Sequence, residues 1–340
     1  MTIPFTARGA QITVLAPARL HLGFMDLNGD LGRSFGSLGL TISNLRTVVE
    51  AEAADEMSAE GEDCARAMRI AERLSGLQGI PGNARIVVRQ AIPAHAGFGS
   101  GTQLALAVGS ALARVNGWDL SPRTIARLSG RGARSGIGIG AFETGGFIVD
   151  GGRGADDSPP HVVSRLSFPE SWRILLVFDS LDQGIHGSNE SAAFDALPKF
   201  PVESAAYLCR LVMMQLLPSL ADADIVGFGR AVTELQRTVG DHFAPAQGGR
   251  YASPAVGEAL AWLESEGAAG VGQSSWGPTG FAIIGSEHEA ERVLRRARER
   301  WPDSGRLSFM VCRGLNSGAS IMETSAETAT GRQSQFADAI

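Results

Sequence analysis

Lysine is almost absent from this sequence: Lys199, set between Pro198 and Phe200-Pro201, is the only one in 340 residues. A P-loop needs lysine directly after glycine, and no such pair occurs, so that mode of phosphate binding is excluded. Schiff-base chemistry is left with one candidate in a loop-like stretch. Cysteine is nearly as scarce. Cys64, Cys209 and Cys312 are odd in number, widely spaced and free of CxxC or Cys/His metal spacing, which argues for free thiols in a reducing compartment. No stretch approaches the roughly 18 to 20 apolar residues of a membrane span, and no basic-then-apolar leader is visible. A cytoplasmic protein without a membrane partner is expected. A net charge of -6 lacks the clustered cations of a nucleic-acid binder, so no nucleic-acid partner is expected either.

What is present is an ordinary globular composition, 44% hydrophobic and 19% charged, of a length that suits two domains. The pattern predicts short strands at "QITVLAP" and "RLHLGFMDL", either side of Pro17, and a period-two strand at "RTVVEAEA". It predicts helices over 62–76, about 101–116, 121–130, 254–266 and 287–300, and a mostly helical 203–240 broken at Pro218. Strands are expected at 84–92, "GFIVDG", "WRILLVFD", "GFAIIG" and "RLSFMVC". "SGIGIG" is too glycine-rich for a helix and reads as a loop. The soft boundary at "GADDSPPH" divides a domain of residues 1–160 from one of 161–321, and the polar, alanine-rich 322–340 reads as a disordered tail.

The densest local signal is "IPAHAGFGSGTQLALA" (91–106), where Gly97, Gly99 and Gly101 precede a helix-forming run. A helix N-terminus presents unpaired N–H groups and a partial positive charge, and glycine lets an anion come close to that backbone. Ser100 and Thr102 add hydroxyl donors. A tight strand-to-helix turn with an N-cap would look the same. The spacing does not fit the dinucleotide GxGxxG fingerprint.

"PAHAGFGSGTQLALA" resembles the second motif of the GHMP kinase superfamily. "APARLHLGFMDLNGDLGRSFGSLGLTI" (16–42) resembles the first motif in the form carried by β-ribofuranosylaminobenzene 5'-phosphate synthases, with Arg-Leu-His-Leu-Gly, then an apolar-Asp pair, then Leu-Gly-Arg. "SGIGIGAFETGGFIVDGG" (135–152), "GIHGSNESAAF" (184–194) and "GQSSWGPTGFAI" (272–283) extend the resemblance over residues 12–321. It implies an α+β, GHMP-kinase-like two-domain fold: an N-terminal ribosomal-protein-S5-like domain with the phosphate loop and a C-terminal ferredoxin-like domain. It also implies a homodimer. Many kinases of the superfamily carry Ser-Gly-Val-Asp before a Gly-Gly strand, the aspartate aligning the attacking hydroxyl. Here the motif is "SGIG", with Gly138 at that place.

The synthase branch is a pentosyltransferase. It joins phosphoribosyl pyrophosphate to 4-aminobenzoate or 4-hydroxybenzoate and releases carbon dioxide and pyrophosphate, with Mg²⁺ as cofactor, on the route to tetrahydromethanopterin-type cofactors. No hydroxyl proton needs removing, which agrees with the missing aspartate. The competing reading is an ATP-dependent kinase of a sugar or alcohol. For the synthase, Asp26 is the candidate for Mg²⁺ or for facing a cationic sugar, an ordinary turn aspartate being its plain reading. Arg19 and Arg33 are fork-shaped donors for phosphate or carboxylate. His186, with Glu190 four residues on, is the catalytic histidine candidate. His21 is either a satisfied strand histidine or a substrate contact. Gly97, Gly99, Ser100, Gly101 and Thr102 would hold phosphate. Arg131, Arg134 and Ser135 precede "GIGIG" and offer a diphosphate clamp. Gln273, Ser274, Ser275 and Thr279 supply neutral hydrogen bonds, and Trp276 either stacks on the acceptor or packs its loop.

Overall fold

The computed structural model describes residues 10–79, 82–156, 158–181, 197–302 and 305–324. A seven-stranded, mostly antiparallel sheet forms around a long hairpin, β1 (Gln11–Asp26) and β2 (Gly36–Ala53). Pro17 does not split β1. The register shifts between Pro17 and Ala18, and such a bulge absorbs the missing donor without ending the strand. The sheet also contains β3 (Ser58–Gly61), β4 (Ala84–Gln90), β5 (Phe147–Asp150) and β6 (Val162–Leu166). Against it pack α1 (Cys64–Gln78), α2 (Ser100–Asn116), α3 (Pro122–Leu128) and α4 (Ile137–Glu143), around Leu74, Leu104, Leu112 and Ile125.

The second sheet runs β10 (Leu307–Cys312), β7 (Arg173–Asp179), β9 (Gly280–Ile284), β8 (Gly270–Gln273), all antiparallel. This strand order, first beside last and third inserted next to first, is the expected ferredoxin-like arrangement. One face carries α8 (Pro254–Ser265) and α9 (Glu287–Arg300), begun by Ser253 and Ser286 as side-chain caps. The other face carries α7 (Ile225–Gln247), and Phe228 and Leu235 join Leu20 and Leu40 to Leu176 and Phe281 in one continuous core between the sheets.

Several local expectations are corrected. The "GIGIG" segment is helical: α4 is buried from Ile137 to Phe142, and a Cβ at Gly140 would stand 2.9 Å from Val162 Cγ2, so these glycines serve close packing. The chain stays helical through Pro218. α5 (Val202–Leu211), a π turn (Val212–Leu216) and α6 (Leu217–Ala221) follow one another, and the break comes at 222–224, where Asp224 caps α7. The widened turn just before Pro218 accommodates a residue with no N–H. Against the expectation from the sequence, Val202–Ala221 is long and apolar enough by length and composition to cross a membrane. Leu208, Leu211, Leu216 and Leu220 bury one side of it in the core between the sheets. Finally, β11 (Ser320–Thr324) pairs with the start of β1, so Met322 to Thr324 belong to the first sheet and not to a tail. That strand is exposed along almost its whole length and held by ladder hydrogen bonds, so it left no hydrophobic alternation to read. The first sheet thus draws β6 and β11 from beyond residue 160.

Candidate active site

Gly99 is the N-cap of helix α2, with a φ of 76° that only glycine adopts cheaply, and no side chain caps the helix. The first-turn bonds go from Thr102 N and Gln103 N to Gly99 O, so the N–H groups of Ser100 and Gly101 have no partner within the helix, the condition under which a helix N-terminus can receive an anion.

Three sequence-distant motifs meet at Gly97. Arg19 Nη1 donates to Gly97 O at 2.5 Å, and Arg19 N donates to Phe98 O at 3.2 Å. Ser274 Oγ donates to the same Gly97 O at 2.8 Å and accepts from His21 N at 3.1 Å. Ser275 N closes the circuit by donating to His21 O. A side chain at Gly97 would strike Ser274 O, and one at Gly99 would stand 3.0 Å from the Arg19 guanidinium carbon. The glycines are therefore fixed from below by Arg19 and Ser274. Arg131 approaches the other flank, its Nη1 lying 2.9 Å from where a Cβ of Gly101 would be. Arg134 and Ser135 occupy the turn that leads into α4, half-buried.

Gly138 lies against the same first turn. A Cβ there would come within 2.9 Å of Thr102 Cγ2 and 3.2 Å of its Cβ. Gln103, fully buried, donates from Nε2 to Gly138 O at 2.8 Å. At the place that carries an aspartate in many relatives of this fold, the nearest atoms are those of the Thr102 side chain, and the Gln103 amide bonds the backbone carbonyl.

Asp26 ends β1 in an Asx turn, its Oδ1 accepting from Asn28 N at 2.7 Å and Gly29 N at 3.0 Å. Burial, and after it the Asp26 charge, holds the thiol of Cys209 on α5 above its ordinary pKa. Arg33 forks onto backbone carbonyls, Nε to Gly151 O at 2.8 Å and Nη2 to Gly152 O at 2.7 Å. Between these lies a residue that sequence reasoning passed over as strand. Asp150 is completely buried and accepts from Ser37 N and Oγ, Ser135 Oγ, Gly136 N and Gly152 N. Burial nevertheless pushes its pKa up, those bonds only partly opposing the shift. It ties Ser135 and the start of α4 to β2 and β5.

His21 is buried, and burial first, then the Arg19 charge, lowers its pKa to about 3, so its ring is neutral at ordinary pH. Its Nδ1 accepts from Gly23 N at 3.3 Å, which leaves the proton on Nε2. The ring joins Phe24, Phe243 and Trp276 in lining a small cavity between β1, α7 and the β8–β9 turn. Trp276 is buried against Phe243, ring centroids 4.4 Å apart. Gln273 and Thr279 are also buried and shape that turn: Gln273 Oε1 accepts from Ala252 N, and Ser274 N donates to Thr279 O. His186 and Glu190 lie outside the described residues. Among the described residues no three His, Cys, Asp or Glu side chains come together as a metal cluster.

Residues 64–146 match the family of GHMP kinases N terminal domains, and residues 216–303 match the family of GHMP kinases C terminal. The chain is 34% identical over 295 residues to the β-ribofuranosylphenol 5'-phosphate synthase of Methanothermobacter thermautotrophicus, covering 80% of this chain and 88% of that one. It is 32% identical over 324 residues to the protein of the same name from Archaeoglobus fulgidus, covering 90% and 97%. Among solved structures it resembles homoserine kinase from Cytophaga hutchinsonii, with a TM-score of 0.67 at 17% identity over 94% of this chain and 100% of that one. It also resembles mevalonate diphosphate decarboxylase from Staphylococcus aureus, with a TM-score of 0.65 at 13% identity over 92% and 98%. These two likenesses concern the fold.

Proposed function

This chain belongs to the β-ribofuranosylphenol 5'-phosphate synthase family, built on the GHMP kinase fold, and from that premise we propose that it is a decarboxylating pentosyltransferase. It joins phosphoribosyl pyrophosphate to a 4-substituted benzoate. The acceptor is 4-hydroxybenzoate rather than 4-aminobenzoate, because the relatives' name specifies a phenol as product. The observation that carries the reading is that Thr102 occupies the space over Gly138, the place where many kinases of this fold carry the aspartate that aligns the attacking hydroxyl.

In this reaction the bond from C1 of the ribose to the diphosphate oxygen breaks, and both electrons leave with pyrophosphate. The ring carbon that bears the carboxylate attacks C1. The electron pair of its bond to the carboxyl carbon then returns to the ring, releasing carbon dioxide and restoring aromaticity. No proton is abstracted from a nucleophile. The uncapped start of α2, with Arg19 beneath its glycines, binds and orients the diphosphate. Asp26 lends negative charge to the sugar as cation character develops.

Magnesium fits this site as an ion shared with substrate, since Mg²⁺ is commonly held by one or two carboxylates plus phosphate oxygens. Asp26 would hold it through the carboxylate oxygen outside the Asx turn. When bound, it would neutralise charge on the departing pyrophosphate.

The test is to incubate the protein with phosphoribosyl pyrophosphate, Mg²⁺ and each benzoate, and to weigh the product and assay pyrophosphate and carbon dioxide. A C-riboside phosphate from 4-hydroxybenzoate, formed without ATP, is expected. Stoichiometric ATP consumption with a phosphorylated alcohol would overturn the reading in favour of a kinase.

A further inference from the structure

Arg131 is the least explained charge beside the glycine loop. It is half-buried, and among the described residues no carboxylate pairs with it. Burial first, then the charges of Arg66 and Arg73, weaken its hold on its proton. Arg66 and Arg73 are seven residues apart on α1, two turns along one face. Arg73 is held in place by Nε donating to Leu128 O at 2.7 Å, just before the turn that carries Arg131, and its guanidinium lies against Gly130. Arg66 pairs with Asp63 at 2.9 Å, the acidic counterweight of the cluster. Like charges gathered beside buried backbone cost stability unless an anion joins them.

Resting on the synthase reading, we propose that Arg66, Arg73 and Arg131 form a distinct anion subsite on the α1 side of the glycine loop, and that it takes the 5'-phosphate of the pentose diphosphate. Placement decides which end. The cluster belongs to the α1–α3 layer, whereas Asp26 faces α5 and the chain near Phe200, to whose carbonyl Asn28 is bonded. The diphosphate and C1 go with Asp26, where the charge changes. The 5'-phosphate, which keeps its charge throughout, goes to the far flank. Arginine suits it, because several N–H donors can meet a monoester dianion at once.

The experiment is calorimetric titration of ribose 5-phosphate and, separately, inorganic pyrophosphate into the full chain and its Arg66→Gln, Arg131→Gln and Arg131→Lys variants. Folding is checked by thermal denaturation. Loss of one guanidinium contact should weaken ribose 5-phosphate binding by about tenfold, with pyrophosphate binding unchanged and Arg131→Lys intermediate. Selective weakening of pyrophosphate instead would overturn the assignment of ends. Unchanged binding of both in folded variants would reduce the cluster to a solvated surface. Either failure is separable from failure of the synthase reading, which shows as no C-riboside from the unaltered protein.

Discussion

Thr102 stands over Gly138 so closely that a Cβ on the glycine would meet the threonine methyl at 2.9 Å and its Cβ at 3.2 Å. Both residues sit in helices that cannot yield independently, because Gln103 bonds the Gly138 carbonyl from the neighbouring position. A side chain at 138 therefore presses on the first turn of α2, where phosphate is proposed to bind. Gly138→Ala gains up to about 1 kcal/mol in helix propensity but meets an overpacking cost of about 1–3 kcal/mol. Net destabilisation and a raised KM for phosphoribosyl pyrophosphate are expected. Thr102→Ser, which removes the methyl, should recover part of both. A double-mutant cycle by urea denaturation and initial-rate kinetics checks this, and strict additivity would mean the contact carries no coupling.

Asp26 has two roles that one substitution can separate. Asparagine keeps an Oδ1 able to accept from Asn28 N and Gly29 N, so the turn survives while the charge is lost. Asp26→Asn should lower kcat by about 100-fold or more and leave the denaturation midpoint near that of the parent. If kcat is retained, Asp26 is a turn residue alone.

The sequence made the glycine loop and α2 legible because glycine density before an apolar run has a local cause, the need for positive φ at Gly97 and Gly99. It placed Asp26 in a turn for the same kind of reason. What it could not show was long-range. Asp150 ends a four-residue strand and looks like an ordinary edge carboxylate until Ser37, more than a hundred residues earlier, is seen donating to it. Arg66 and Arg73 resemble a solvated helix face, and only the fold, which sets the Arg73 guanidinium against Gly130 beside Arg131, relates them to the glycine loop. Their spacing of seven was the available signal. Gly138 and Gly140 misled the helix assignment because glycine disfavours a helix on its own, and tertiary packing reversed that preference.

Ser274 bridges the two halves of the site through one hydroxyl, accepting from His21 N and donating to Gly97 O. Ser274→Ala strands a buried N–H and leaves Gly97 O to Arg19, at an expected cost of about 1–3 kcal/mol. Because Gly97 precedes the proposed phosphate cradle, KM for phosphoribosyl pyrophosphate should rise more than kcat falls. Kinetics showing a loss confined to kcat would remove the bridge from substrate binding.

His21 gives a signed prediction with pH. Its folded pKa is lowered to about 3 from 6.5, burial being the main cause and Arg19 the second. Between those values the unfolded chain binds a proton that the folded state refuses. The folded state therefore loses stability as pH falls through that window, by at most ~1.4 kcal/mol per pH unit, and keeps the full contribution above about pH 6.5. Carboxylates and His242, whose pKa burial also lowers, share part of the window, so the wild-type curve alone does not isolate one ring. The comparison that does is His21→Asn, where the Asn Oδ1 can take over acceptance from Gly23 N without a titrating group. Urea midpoints measured from pH 7.5 to 4.5 should fall less steeply for the variant. Parallel curves would mean that His21 protonates freely in the folded protein, and that its closure beneath Ser274 and Ser275 is not maintained in solution.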